Sequence, residues 1–207
     1  MQVPAGHPEK PQGEDGLKLL DRMNGGHHEE LANWGLSHLD VRETDDVLDI
    51  GCGGGANIER LLARATKGHV TGVDYSPLSV KASRAHNERA IAEGRCEVLE
   101  GNSSALPFGD DSFDVATAFE TTYYWDLPVA FREVNRVLRP GGLFLVCNED
   151  DGEDPGALEL AEQIPNMSVH TVRELEEALE AAGFEIVTCG EVREKGHMAI
   201  VSRRPGI

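Results

Sequence analysis

From residue 45 onward, short apolar runs alternate with segments whose apolar residues recur every three or four positions. The runs read as buried parallel strands and the other segments as amphipathic helices. Strands are expected over residues 46–50, 69–74, 95–100, 113–119 and 142–147, the fourth apolar almost throughout. Between them, Ile58, Leu61 and Leu62 share one side of a helix over 57–65. A second helix runs from Pro77, a residue suited to a first helical turn, to about 93. A third, over 129–137, carries Phe131, Val134, Val137 and Leu138 at helical spacing. Thr171 with Glu174 predicts a capping box, and Gly183 a helix stop. Residues 185–191 and 197–203 then read as two closing strands. Strands that alternate with helices in this way imply a doubly wound α/β domain with a mostly parallel sheet.

Outside this alternation the pattern changes. An amphipathic helix is expected over 28–39, with Leu31, Trp34 and Leu39 as its stripe and the Gly25–Gly26 pair as a hinge before it. Residues 17–44 therefore read as a helical cap on the domain of 45–207. Residues 1–16 are polar, lack the apolar stretch of a signal peptide, and read as a disordered arm. The largest irregular piece, 148–170, holds the acidic run 149–154 and a short helix near 157–164, and is a candidate lid.

The first strand ends in VLDIGCGGG, residues 47–55. Asp49 sits near its carboxyl end, followed by Gly51, Cys52, Gly53, Gly54 and Gly55. Glycines permit positive φ and leave no Cβ between backbone and ligand. The amino end of the next helix offers unpaired N–H groups to an anion. A polar cofactor bearing a carboxylate or phosphate fits such a loop, with Cys52 present as a small side chain. Gly51, Gly53 and Ala56 also satisfy the dinucleotide fingerprint, and a tight turn without ligand is the plainer alternative. Other candidates stand at the ends of later strands, where open α/β sheets bind ligands. Asp74 can accept from two ribose hydroxyls, and Tyr75 can pack on a purine. Asn102 and Ser103 offer polar edges to an adenine, and Phe119 and Glu120 end the fourth strand.

In their order and spacing, VLDIGCGGG, VTGVDYS, GNSSALPFGDDSFDVA and FREVNRVLRPGG resemble the class I S-adenosylmethionine-dependent methyltransferases, nearest to the small-molecule type 11 group. The resemblance spans 46–147 and extends weakly through VRELEEALEAAGFEI. It implies a Rossmann-like methyltransferase fold, a seven-stranded, mostly parallel sheet with an antiparallel closing strand. It implies S-adenosylmethionine as cofactor, with Asp49 and Gly51 to Gly55 holding the methionine part and Asp74 the ribose. Tyr75 would flank the adenine, Asn102 and Ser103 would meet its edge, and Phe119 would line the methionine end. Where the family usually has Asp, this chain has Asn102, whose amide oxygen can still face the adenine amino group. The expected reaction is in-line displacement at the sulfonium methyl by a small-molecule acceptor. A non-catalytic module that binds S-adenosylmethionine or S-adenosylhomocysteine is the alternative, and a nicotinamide-dinucleotide protein a further one.

The acceptor side falls to ETTYYWD, residues 120–126. Tyr123, Tyr124 and Trp125 cluster in a chain with eleven aromatics, and read either as a pocket wall or as packing. Glu120 is a candidate base, or a carboxylate near the cofactor's ammonium; Glu120, Tyr123 and Tyr124 are the catalytic candidates. His27 and His28 offer a base near neutral pH or plain helix capping. No matching ligand set lies beside them in the sequence, so no metal is expected. Charge sharpens the picture: 37 acidic against 19 basic residues give −18, which disfavours nucleic acid and anionic membranes as partners. An acidic lid over aromatics would favour neutral or cationic acceptors. Four scattered cysteines without a CxxC pattern fit free thiols in the cytoplasm.

Overall fold

The computed structural model describes residues 8–25, 27–192 and 195–206, without the side chain of His27. Its centre is β1 (Asp46–Ile50), flanked in parallel by β2 (His69–Asp74) and β4 (Phe113–Phe119). Outward lie β3 (Cys96–Glu100) beside β2, and β5 (Leu138–Asn148) beside β4. With β6 (Glu185–Val192) and β7 (His197–Arg203), the order is β3-β2-β1-β4-β5-β7-β6. This is the expected seven-stranded, doubly wound sheet. The reversed strand β7 does not close the edge, however: it pairs antiparallel with both β5 and β6. The reason is burial. His197–Arg203 is buried on both faces except at its last residue, while Glu185–Val192 alternates exposed and half-buried residues and tolerates an edge.

Neighbouring residues of β1 face opposite layers. Val47 packs beneath α2 (His27–Ser37), α3 (Ala56–Leu62) and α4 (Pro77–His86), against Leu31, Leu36, Ile58 and Val80. Leu48 and Ile50 face α6 (Leu127–Val137) and α8 (Val172–Ala181) through a core that includes Phe131, Val134, Leu175 and Leu179. The Thr171–Glu174 capping box is formed, and Gly183 follows α8 at φ 92°.

Two departures from expectation position the site. The long helix from Pro77 breaks at Asn87 into α4 and α5 (Glu88–Ala92). There the Asn87 side chain donates to the carbonyls of Ser83 and Gly55, both at 3.0 Å, tying the break to the glycine loop. The arm expected over 1–16 differs over its described part, residues 1–7 lying outside the described set. α1 (Gly13–Met23) already starts at Gly13 and buries Leu19 and Leu20. A Cβ on Gly16 would stand 2.8 Å from the Pro11 backbone and 2.9 Å from Leu78, so α1 lies close on the start of α4.

Helix α2 docks just as closely on β5. Leu31 and Leu36 are buried, Trp34 packs edge-on to His38 at 4.9 Å, and the hinge residue Gly26 lies outside the described residues. A Cβ on Gly35 would fall 2.5 Å from Cys147 Sγ and 3.1 Å from the Phe119 ring. Gly35→Val is therefore expected to lift α2 from the sheet and destabilise the domain by about 1–3 kcal/mol, read as a lower midpoint in urea unfolding. A midpoint at or above that of the unmodified protein would contradict this packing.

Candidate functional site

The glycine loop is shaped by its neighbours. Gly51 and Cys52 both donate N–H to the Val73 carbonyl, at 2.7 and 3.1 Å, so the end of β2 fixes the start of the turn. Gly53, at φ 51°, donates to Asp74 Oδ2 at 2.9 Å, and Ser76 N–H donates to Asp74 Oδ1 at 2.8 Å. One carboxylate thus clamps the loop and shapes the entry to α4, where Ser76 is the N-cap. Asp74 is only 8% exposed, and burial pushes its pKa above the usual carboxylate range.

Added side chains at Gly51 and Gly54 would collide with Thr121 and Asn24, at 2.3 and 2.4 Å. At Gly53 a Cβ would meet only Leu20, at 4.0 Å. Packing therefore demands the glycines around Gly53, while Gly53 itself borders the open cleft.

That cleft has two lobes that share Met23, Gly51, Gly53, Phe119 and Glu120. The larger, about 140 Å³, is lined by Asp74, Tyr75, Ser79, Asn102 and Ser103, and farther along by Tyr124 and Trp125. Its cover comes from Pro8, Glu9 and Leu20, while Lys10 lies 4.8 Å over the Tyr75 ring. The smaller lobe, about 60 Å³, is lined by Cys52, Gly54, Asn57, Arg60 and His28. Here Arg60 Nη1 donates to Asn57 Oδ1 at 3.0 Å.

Most residues singled out from the sequence converge on these lobes, with three exceptions. Asp49 lies beneath the loop rather than on the cleft wall, 2% exposed, and accepts from Thr117 Oγ1 at 2.7 Å. Among the described residues its other oxygen has no hydrogen-bond partner, and burial drives its pKa up to about 7. Gly55 is the N-cap of α3, at φ 90°, and is not a lining residue. Tyr123 turns away from the cleft because the chain coils into a 3-10 turn over Thr122–Tyr124. It is buried, and its hydroxyl donates to Glu120 Oε1 at 3.5 Å. The expected aromatic wall thus keeps Tyr124 and Trp125 only. Cys52 borders the smaller lobe, but its thiol turns inward toward Ser83 Oγ, at 3.8 Å.

The segment 148–170 lines neither lobe. Ser168 N–H donates to the Tyr123 carbonyl at 2.8 Å, and Asn166 reaches Glu9 at 3.4 Å. Its acidic residues largely hold turns: Asp150 and Asp151 accept from backbone two residues on, and Asp154 caps α7 (Pro155–Gln163). Glu149 differs. Its N–H donates to the Glu120 carboxylate, and its own side chain stands close enough to raise the Glu120 pKa, after burial as the larger cause. His28 joins both carboxylates from α2, with ligand atoms of all three within 4.8 Å of one another. No such set lies beside His28 in the sequence; the fold brings these three side chains together from α2 and the ends of β4 and β5.

Sequence reasoning missed Arg60, Asn57, Glu9 and Met23 as lining residues. Arg60 and Asn57 carried a usable signal, since they lie within the two helical turns after the loop.

Residues 48–146 match the family described as methyltransferase domain. The curated relatives include 24-methylenesterol C-methyltransferase 2 of Arabidopsis thaliana, 31% identical over 77% of this chain and 46% of that protein. Sterol 24-C-methyltransferase of Pneumocystis carinii is 28% identical over 76% of this chain and 44% of its own length. The chain spans less than half the length of these relatives. Among solved structures, geranyl diphosphate methyltransferase in complex with SAM superposes with a TM-score of 0.77 at 18% identity, covering 98% of this chain and 97% of that one. A chain from the complex between the Haloferax volcanii Trm112 methyltransferase activator and a methyltransferase gives 0.83 at 24% identity, covering 91% and 94%.

Asp49 yields a pH prediction. Its native pKa of about 7 lies above the ordinary 3.8, so between these values the folded protein holds a proton that the unfolded chain releases. Stability from this group is therefore lost as pH rises through that window, by at most about 4 kcal/mol. Asp49→Asn keeps an acceptor for Thr117 and removes the titration. The difference in melting temperature, variant minus unmodified protein, should grow from pH 4 to about 7.5 and then level off. A flat difference would show that Asp49 is ionised without penalty.

Proposed function

The chain belongs to the class I S-adenosylmethionine-dependent methyltransferases, and we propose that it transfers the methyl group of S-adenosylmethionine to a small-molecule acceptor. One observation carries this reading: two lobes of different chemistry meet at Phe119 and Glu120. The larger suits a nucleoside, with a carboxylate for ribose hydroxyls and polar edges at Asn102 and Ser103. The smaller suits an amino-acid end, since Arg60 can grip a carboxylate beside the glycine loop. When bound, the cofactor supplies an electrophilic methyl on a positively charged sulfur.

The protein's part is alignment and exclusion of water. Asp74 and the backbone it clamps set the depth of the nucleoside. Tyr75 offers a face to the adenine, supported from above by Lys10. Phe119 closes the junction, and Met23 with Leu20 shields it from the side of α1. Farther along the larger lobe, Tyr124 and Trp125 form an aromatic wall on which an acceptor can lie. Asn102 stands where the family usually has Asp, and it retains its amide oxygen as an acceptor for an adenine amino group.

A carbon acceptor is favoured, because the relatives include proteins named as C-methyltransferases of 24-methylenesterol and botryococcene, and one named squalene methyltransferase. The aromatic wall suits the apolar body of such a molecule. The charge of −18 opposes nucleic acid as a substrate. We place the protein in the cytoplasm, a reading supported by four unpaired cysteines, three of them buried. Among the described residues no helix is long and apolar enough to cross a membrane.

Calorimetry tests the cofactor directly. S-adenosylmethionine should bind and NAD should not. Arg60→Ala and Asp74→Ala should each weaken binding at least about tenfold, the loss of one to two charge-assisted hydrogen bonds. Asp74→Ala should also lower the melting temperature, because Gly53 and Ser76 lose their acceptor, whereas Arg60→Ala should change it little. Binding of NAD, or full affinity in both variants, would overturn the reading. Transfer of labelled methyl to an apolar acceptor separates an enzyme from a non-catalytic binding module.

A further inference from the structure

Strands β4 and β5 end side by side, and their next residues are Glu120 and Glu149. The pair is locked by reciprocal bonds: Glu120 N–H donates to the Cys147 carbonyl at 3.0 Å, and Glu149 N–H donates to the Glu120 carboxylate. Glu120 is held in a left-handed backbone conformation at φ 55°, half-buried at the junction of the two lobes. Above them α2 presents His28, which lines the smaller lobe. Helix α2 is seated on the same strand by Gly35 over Cys147. One ligand atom from each of the three residues falls within 4.8 Å of the others. Three elements thus bring together one imidazole and two carboxylates.

Two carboxylates this close repel each other in a half-buried site, and a cation between them removes that cost. We infer that His28, Glu120 and Glu149 form a site for a divalent cation of the manganese, iron, cobalt or zinc class. Donor chemistry sets the class: imidazole with two carboxylates suits these ions better than calcium or magnesium, which prefer all-oxygen shells. The size fits as well. Ligands at about 2.1 Å from one ion lie roughly 3 to 4.2 Å apart, so the set closes with small side-chain rotations. Three protein ligands leave coordination positions open toward the junction of the two lobes, which Glu120 lines. There the ion takes an oxygen of the acceptor, a hydroxyl or a carboxylate, and holds it beside the methyl position.

The acidic run next door is a different feature. Asp150, Asp151 and Asp154 already accept backbone N–H bonds within their own turns. The ion's role beside the acceptor rests on the methyl-transfer reading, whereas its binding does not.

The full chain, freed of metal with a chelator and without cofactor, is titrated with MnCl2 and free Mn2+ is read by electron paramagnetic resonance. One equivalent should bind with a dissociation constant on the order of micromolar, corresponding to roughly 8 kcal/mol. Glu149→Gln and His28→Gln should each weaken binding at least about tenfold. The double variant Asp151→Asn, Glu153→Gln should leave it unchanged. A parallel titration with CoCl2 should give a visible band that shifts in His28→Gln, a sign of imidazole ligation that diffuse charge cannot produce. Each variant is first matched to the unmodified protein by circular dichroism, and Glu149, at the rim, can be changed without loss of core packing. No saturable binding below about 1 mM, or equal weakening by the Asp151/Glu153 control, overturns the site. Calorimetry with S-adenosylmethionine on the same samples separates the failures: cofactor binding without manganese binding removes the cation site alone.

Discussion

The carboxylate of Asp74, caught between Gly53 N–H and Ser76 N–H, is the constraint on which the cleft depends. It ends β2, yet through two bonds of 2.9 and 2.8 Å it shapes the turn after β1 and the entry to α4. Both bonds are charge-assisted, and each N–H would otherwise face a buried carboxylate or go unpaired. Burial works against this clamp by favouring the protonated acid, and the same tension reaches Asp49 one strand away. The site therefore keeps two acidic groups buried under the loop, and their hydrogen bonds from Thr117, Gly53 and Ser76 offset part of the desolvation.

The loop gathers the rest of the molecule around it. Thr121, from the acceptor side, abuts Gly51; Asn24, from the end of α1, abuts Gly54 and donates to its carbonyl; Asn87, from the helix break, holds Gly55. The amino-terminal cap, the segment after β4 and the second helical layer thus touch three residues of one turn. A change in any of them is transmitted to the two lobes of the cleft through contacts that leave no room for a methyl group.

Function in this chain comes from how the carboxyl ends of parallel strands are finished. β1 ends in the turn, β2 in the clamp, β3 in the polar edge of Asn102 and Ser103, and β4 in Glu120 at a left-handed residue. Because β4 and β5 are neighbours in register, with Phe119 opposite Cys147, the residues beyond them meet as well. Glu120 and Glu149 are 29 positions apart in sequence and share a hydrogen bond in the fold.

Periodicity placed the five parallel strands and the helices between them, because burial on one or both faces dictates which residue types can stand there. The exceptions are the break at Asn87 and the start of β5 at Leu138, which reads as part of the helix before it; the Thr171–Glu174 spacing marked the capping box. The loop 51–55, Asp74, Tyr75, Asn102, Ser103 and Phe119 were legible as candidates because local chemistry and position after a strand suffice to mark them. Sequence could not show that Asp49 lies under the loop, or that Tyr123 points away from the cleft. The first depends on which way β1 directs a side chain beneath the glycine loop, the second on how a turn of three residues directs its side chains. Nor could it show β7 entering between β5 and β6, which follows from comparing the burial of two strands. Least legible were the contributions of Glu9 and Met23, and the meeting of His28 with Glu120 and Glu149. A linear pattern records which face a residue occupies on its own element, but only the packing of α1 and α2 on the sheet decides which distant side chains share one cavity.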